Sequence, residues 1–166
     1  MWVWLLLLTA LPLADLEVML APQPGRLSVQ MVVHRSLPEE WRQALAGGAQ
    51  VTITYRLHLF RNRRWLWDQR LGGRKMVVKA QRDPLTGVFS LAAELDGEIL
   101  ASGQASSLDE AVHWMTHPPT AEIPVPLRHD ALWLVVRAEF LNRYKMLVIP
   151  STVATEWVTR AVPETR

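Results

Sequence analysis

Two long segments of the chain alternate apolar and polar residues in the way that a half-buried β-strand does. The apolar positions of the first segment are Val51, Ile53, Tyr55, Leu57 and Leu59, and those of the second are Leu132, Leu134, Val136, Ala138 and Phe140. Successive side chains of a strand point to opposite faces, so this pattern predicts one face in a core and the other at the surface. Both segments are therefore predicted to be antiparallel strands.

Shorter extended segments and turn signals fill much of the remaining chain. The further predicted strands are 27–34, 74–80, 89–95 and 98–104, with shorter pieces at 121–127, 146–150 and 155–162. We expect turns at Gly72-Gly73 and at 83–87, and a two-residue hairpin at Asp96-Gly97. About eight strands are predicted in all.

Two short helices interrupt the strands. Ser36 and Glu39 have the spacing of a capping box at the start of the first helix, and Gly47-Gly48 end it. Ser107 and Glu110 repeat that spacing at the start of the second. Strands otherwise follow strands without crossover helices, so the predicted fold class is all-β: an antiparallel, immunoglobulin-like β-sandwich with two short helices.

The N-terminus predicts export. An apolar run from Trp2 to Ala14 has the length of a signal-peptide core and is too short to cross a bilayer. We assign residues 1–14 to a signal peptide and 15–166 to a single domain, located in the periplasm or secreted. Because no Lys or Arg precedes the run, two alternatives stay open: an uncleaved membrane anchor, and a buried first helix or strand.

The composition of the chain excludes several kinds of functional site. The chain has 49% apolar residues, a formal net charge of +2 and no cysteine. Disulfides, thiolate metal sites and thiol nucleophiles are therefore excluded, and the small net charge does not indicate a nucleic-acid partner. There is no Gly-rich phosphate loop and no nucleophile elbow, so we predict a non-enzymatic protein without a cofactor.

Two constellations of polar residues were weighed as sites. Glu110, His113 and His117 could face one side of a helix and hold a metal, but Glu110 is needed for capping and the residue before a proline disfavours helical geometry. His58 and Asp68 with Ser90 or Ser102 could form a hydrolase triad, but no local motif supports one. We predict neither a metal site nor catalytic residues.

A basic segment is the best candidate for a binding surface. Half of the chain's 18 Lys and Arg residues lie between Arg56 and Arg82. The candidate contact residues are those of what we call the Arg–Trp segment: Arg61, Arg63, Arg64, Trp65 and Trp67. The alternative is a strand corner with a solvated face. If Arg61 and Arg63 faced inward they would be buried charges, so we expect a turn or bulge nearby.

Several stretches together resemble a known family. They are "LPEEWRQALAGGAQVTITYRLHLFRNRRWLWDQRL", "DPLTGVFSL", "ASSLDEAV", "VVRAEFL" and "TEWV". In this order they resemble the bacterial envelope family called domain of unknown function 4390, over roughly Leu27 to Val158. The resemblance implies a secreted or periplasmic bacterial protein with a β-sandwich-like body, with no catalytic residues and no known ligand. It also implies a link to membrane sensor kinases, near which such proteins are often encoded.

We expect a non-enzymatic interaction or accessory domain of the envelope. The expected partner is an envelope membrane protein or an anionic membrane surface. The alternative is a carrier of a lipid or other apolar molecule in a pocket lined by the inward residues of 51–59 and 132–140. A third is a hydrolase with an unrecognised site.

Overall fold

The computed structural model describes residues 16–34, 37–62, 68–126, 131–141 and 152–163. Its elements, in chain order, are β1 (Leu16–Gln23), β2 (Arg26–Val33), α1 (Glu39–Ala46), β3 (Val51–Arg61), β4 (Gln69–Arg82), β5 (Phe89–Leu95), β6 (Glu98–Ala105), α2 (Leu108–Thr116), β7 (Ala121–Pro124), β8 (Leu132–Leu141), β9 (Thr152–Ala154) and β10 (Val158–Ala161). The predicted fold class, antiparallel and all-β with two short helices, is confirmed. Strand β1 was not predicted, because its sequence directly follows the apolar N-terminal run. The signal segment predicted at 1–14 and the strand piece at 146–150 lie outside the described residues.

The strands form two antiparallel sheets. The small sheet has the order β1-β2-β7, and the large sheet has the order β10-β8-β3-β4-β5-β6, with β9 paired to β8. Strand β3 lies in the middle of the large sheet and pairs along its length with β4 on one side and β8 on the other. It is therefore the strand on which the large sheet is built.

One hydrophobic core joins the two sheets and both helices. The alternating residues of β3 and β8 that were predicted to face inward are all buried, with exposures of 0 to 3%. Helix α1 adds Trp41, whose ring meets Phe140 of β8 edge-on at 5.7 Å between centroids. Both sheets thus pack their apolar faces against a shared interior, as a sandwich requires. None of the helices among the described residues is long and apolar enough to cross a membrane.

The helix starts were predicted with mixed success. Ser107 caps α2 as predicted, since its hydroxyl accepts the backbone N–H of Glu110 at 3.2 Å. The Glu110 carboxylate accepts from the N–H of Ser106 at 2.9 Å. Helix α1, in contrast, begins later than expected. Its N-cap is Pro38, which makes no side-chain cap, and its carbonyl accepts the first helical N–H groups. Ser36 lies outside the described residues.

Two of the three predicted turns are present. Residues 83–87 and Asp96-Gly97 connect neighbouring antiparallel strands, and both Asp96 and Gly97 have positive φ, as a tight hairpin requires. The turn predicted at Gly72-Gly73 was wrong, because both glycines lie inside β4. The pairing shifts there instead: Leu59 pairs with Gly72 and Phe60 with Arg70, which leaves Leu71 as the extra residue of a bulge.

A buried hydrogen bond fastens helix α2 to the large sheet. The Tyr55 side chain is fully buried in β3, and its hydroxyl donates to the backbone carbonyl of Met115 at 2.9 Å. Burial raises the pKa of the Tyr55 phenol far above its ordinary value, so the proton stays available to the carbonyl. The helix is therefore held at its C-terminal turn, where a carbonyl would otherwise lack a partner.

We expect Tyr55→Phe to lower the free energy of unfolding by about 1–3 kcal/mol, because it leaves the buried Met115 carbonyl without a donor. Urea denaturation followed by circular dichroism measures this change. Leu85→Ala, at a side chain that is 93% exposed, is the control and should change stability by less than about 0.5 kcal/mol. A Tyr55→Phe protein as stable as the control would contradict the assignment.

Candidate functional site: a groove on the outer face of the large sheet

A groove of about 700 Å³ lies on the face of the large sheet that points away from the core. Its volume is within the usual range of ligand-binding sites. We call it the outer groove, and its lining residues are His58, Phe60, Asn62, Asp68, Trp133, Val135, Trp157 and Thr159. The outer groove is the part of the described surface at which aromatic and polar side chains converge most clearly.

The floor of the outer groove comes from outward-facing positions of three adjacent strands. Phe60 of β3 pairs directly with Trp133 of β8, and His58 pairs with Val135, which pairs in turn with Thr159 of β10. The solvent face of an antiparallel sheet usually carries polar side chains. Here it carries two aromatic rings and a valine, so this face exposes apolar surface that the core does not use.

Trp157 forms one wall of the outer groove. It precedes β10 and is 44% exposed. Its ring lies 5.5 Å from that of His58, and the Arg137 guanidinium sits 5.4 Å from the Trp157 ring centroid, within cation–π range. The buried Thr155 fixes this segment, because its N–H donates to the Ala138 carbonyl and its hydroxyl accepts from the Ala138 N–H. These two hydrogen bonds hold the segment that carries Trp157 against β8.

His58 is held in a defined state by an arginine. The Arg70 guanidinium lies 2.8 Å from His58 Nδ1, and because a guanidinium only donates, Nδ1 carries no proton. Burial lowers the pKa of His58 below its ordinary value, and the charges of Arg70 and Arg56 lower it further against the opposing effect of Glu139. His58 is therefore neutral at pH 7 and presents an Nε2–H donor at the groove.

Gly73 makes room for this contact. It pairs with His58, and a Cβ at this position would lie 2.7 Å from the Arg70 guanidinium and 2.9 Å from His58 Nδ1. The neighbouring Gly72 has open space at the same point. The absence of a side chain at Gly73 lets Arg70 reach across the sheet surface.

Most of the predicted Arg–Trp segment lies outside the described residues, namely Arg63, Arg64, Trp65 and Trp67. Arg61 is described, and it keeps the inward parity that we expected a turn or bulge to prevent. It pairs with the buried Leu132 and is half-buried, and its buried Nε has no hydrogen-bond partner among the described residues. The bulge occurs in β4, so it does not re-aim β3. The structure does not bring Arg61 to the outer groove, which opens on the opposite side of β3.

The residues that line the groove were not singled out from the sequence as a binding surface. A signal was present, because Phe60 and Trp133 occupy the outward parity of two strands where polar residues are usual. Trp157 gave no such signal, since its position depends on the pairing of β10 with β8, which one sequence does not reveal.

The hydrolase triad weighed above is not assembled. Ser90 pairs with Gln81 and His58 pairs with Gly73, at well-separated positions of β4, so the two are roughly 25 Å apart at the usual rise per residue. Ser102 lies on β6, two strands beyond β4, and is also remote from His58. Within the described part of the chain, no group of three or more His, Asp or Glu residues is arranged to hold a metal. His113 and His117 stack at 4.0 Å between centroids, and the His117 ring faces the hydroxyl of Thr116.

Comparison with known families gives one match. The family model described as Domain of unknown function (DUF4390) matches residues 15–133, well over half of the chain. This range contains β1 to β7 and ends within β8, at Trp133. No curated protein and no solved structure gives a significant match.

The lowered pKa of His58 predicts a contribution to acid sensitivity. Between the ordinary histidine pKa of 6.5 and the lower folded value, the unfolded chain binds a proton that the folded chain does not. The contribution of His58 to the free energy of unfolding therefore falls as the pH drops below 6.5. We expect His58→Gln to show a smaller loss of melting temperature between pH 7.5 and pH 5.5 than the wild type. An unchanged loss would mean that His58 titrates normally.

The close approach at Gly73 predicts different effects for two adjacent glycines. Gly73→Ala should displace the Arg70 guanidinium from His58, whereas Gly72→Ala should leave the contact in place. The ¹⁵N chemical shift of His58 Nδ1 reports whether that nitrogen accepts a hydrogen bond. A wild-type shift in Gly73→Ala, or an equal change in both variants, would contradict the arrangement.

Proposed function

The chain belongs to the DUF4390 family, and because that family's description assigns no activity, we propose a function from the site: a non-enzymatic binding domain of the bacterial envelope whose contact surface is the outer groove. The observation that carries the proposal is an aromatic cluster on the sheet face opposite the core, in which Phe60 and Trp133 are half-buried and Trp157 is exposed. Tryptophan and arginine are the residues most enriched among those that dominate binding energy. Aromatic surface left outside the core, with arginines at its margin, is typical of a partner-binding site.

The proposed location is the periplasm or the cell exterior. It rests on the apolar run at 2–14 and on the envelope origin of the family it resembles. We propose an envelope membrane protein as the partner, linked to membrane signalling. The competing proposal is contact with an anionic membrane surface. Photo-crosslinking, peptide selection and vesicle sedimentation distinguish the two.

Residues 63–67 of the Arg–Trp segment are included in this proposal because of their place in the chain, and Arg61 is not. Asn62 and Asp68 both line the outer groove, and they flank residues 63–67. We propose on this ground that residues 63–67 belong to the same contact surface, and the probe at Arg64 described below tests it.

The carrier alternative has less support. It requires a cavity between the sheets, lined by the inward residues of β3 and β8. Those residues are packed in the core with exposures of 0 to 3%, whereas the outer groove opens on the other face of the same strands. We therefore place binding on the outside of the sandwich.

In-cell photo-crosslinking tests the proposed function. A photoreactive residue at Thr159, which lines the groove, should give a discrete protein adduct, and a probe at Arg64 should give the same one. Glu98, which is exposed on β6 at the far edge of the large sheet, is the control position and should give none. Adding Trp157→Ala to the Thr159 probe should lower the adduct yield about tenfold or more, as loss of a dominant contact does.

The variants must be compared at matched melting temperature and matched amount of protein. Equal adduct patterns at Thr159 and Glu98, or an adduct that survives Trp157→Ala unchanged, would contradict the outer groove as the contact surface.

A further inference from the structure

We propose that the outer groove accepts an acidic segment of a partner protein, with an apolar side chain on the aromatic floor and carboxylates against Arg70 and Arg137. The inference rests on the proposed function and adds the chemistry of the occupant. It follows from the ion pairing of the arginines around the groove.

Four arginines elsewhere on the described surface have carboxylate partners, whereas Arg82 and Arg160 donate to backbone carbonyls. Arg26 pairs with Glu122 at 3.0 Å, Arg42 with Asp109 at 2.7 Å, Arg56 with Glu139 at 2.8 Å and Arg74 with Asp96 at 2.6 Å. Within the same described ranges, Arg70 and Arg137 form no ion pair. Their known partners are neutral: the His58 ring for Arg70 and the Trp157 ring for Arg137.

These two arginines flank the groove. Arg70 is the register partner of Phe60, so it borders the floor on the β4 side. Arg137 follows Val135 by two positions on β8 and therefore shares its outward face, beside the Trp157 wall. A segment lying across Phe60 and Val135 thus has an arginine at each end.

Arg137 also lies next to other cations. Arg137 sits directly opposite Arg56, which sits opposite Lys75, so three cations form a row across β8, β3 and β4. Like charges opposed across strands are unfavourable, and Glu139 offsets only Arg56. An incoming carboxylate would relieve this repulsion and satisfy guanidinium donors.

The outer groove is shallow and open. Because Phe60 and Trp133 are half-buried on its floor and do not protrude, it suits the side chain of a protein segment better than a membrane surface. Asp68 is the one carboxylate among the described lining residues, and it follows the Arg–Trp segment. It would direct an anionic segment toward Arg137 and away from its own end of the groove.

Peptide display tests the chemistry of the occupant. A random-peptide library is selected on the folded wild-type domain and depleted on a Trp133→Ala/Trp157→Ala variant, so that the retained sequences depend on the groove. We expect these sequences to combine Asp or Glu with an aromatic or aliphatic residue. Synthetic peptides with the acids changed to Asn or Gln should bind at least about tenfold more weakly, as expected for lost charge-assisted hydrogen bonds.

Matched arginine variants complete the test. Arg70→Gln and Arg137→Gln should each weaken a selected peptide about tenfold, whereas Arg26→Gln, which removes an exposed ion pair on the small sheet, should leave its affinity unchanged. Groove-dependent peptides without acids, or affinities insensitive to Arg70 and Arg137, would overturn the inference while the groove remains a binding surface.

The other outcomes are also decisive. If no selected peptide depends on the groove, yet the protein sediments with vesicles of phosphatidylglycerol and phosphatidylethanolamine in an Arg70- and Arg137-dependent manner, the occupant is a membrane surface and the inference is wrong. If neither peptides nor vesicles depend on the groove and the Thr159 crosslink is also absent, the proposed function itself fails.

Discussion

Strand β3 has the core on one side and the outer groove on the other, and both follow from the period-two geometry of a single strand. Its inward positions, including Tyr55 and Leu57, are fully buried. Its outward positions His58 and Phe60 line the outer groove. Because β3 is paired along its length on both sides, its register fixes which face each side chain takes. A rigid, fully paired strand is a better support for a site than a loop, since its side chains are positioned by the sheet.

The electrostatics of the large sheet follow from the same register. The pairing of β8, β3 and β4 aligns Arg137, Arg56 and Lys75 in one row on the outer face. Several cations elsewhere on the described surface pair with carboxylates, as Arg74 does with Asp96. At the groove the balance is incomplete. The small net charge of the whole chain therefore hides a local positive field, which acts at the place where aromatic side chains line the outer face.

Local signals in the sequence predicted most of the fold but little of the site. Strands β3 and β8 and the Asp96-Gly97 hairpin depend on alternation and turn chemistry over a few residues, and the Ser107 cap is equally local. The turn expected at Gly72-Gly73 failed because β4 continues through both glycines, and Gly73 allows the close approach of Arg70 to His58. The groove was missed for a related reason. It joins Phe60, Trp133 and Trp157 through strand pairing across long stretches of chain, which no local pattern encodes.

Radical footprinting in intact cells tests the central claim, that the outer groove is covered by a partner, most directly. Trp157 and Met19 have similar exposures, 44% and 42%, but Met19 lies in β1 of the small sheet. In the purified domain, hydroxyl radicals should modify each at a rate set by its own reactivity. In cells, we predict that modification of Trp157 falls relative to Met19. An unchanged ratio of Trp157 to Met19 modification, in cells that contain the folded protein, would contradict the account.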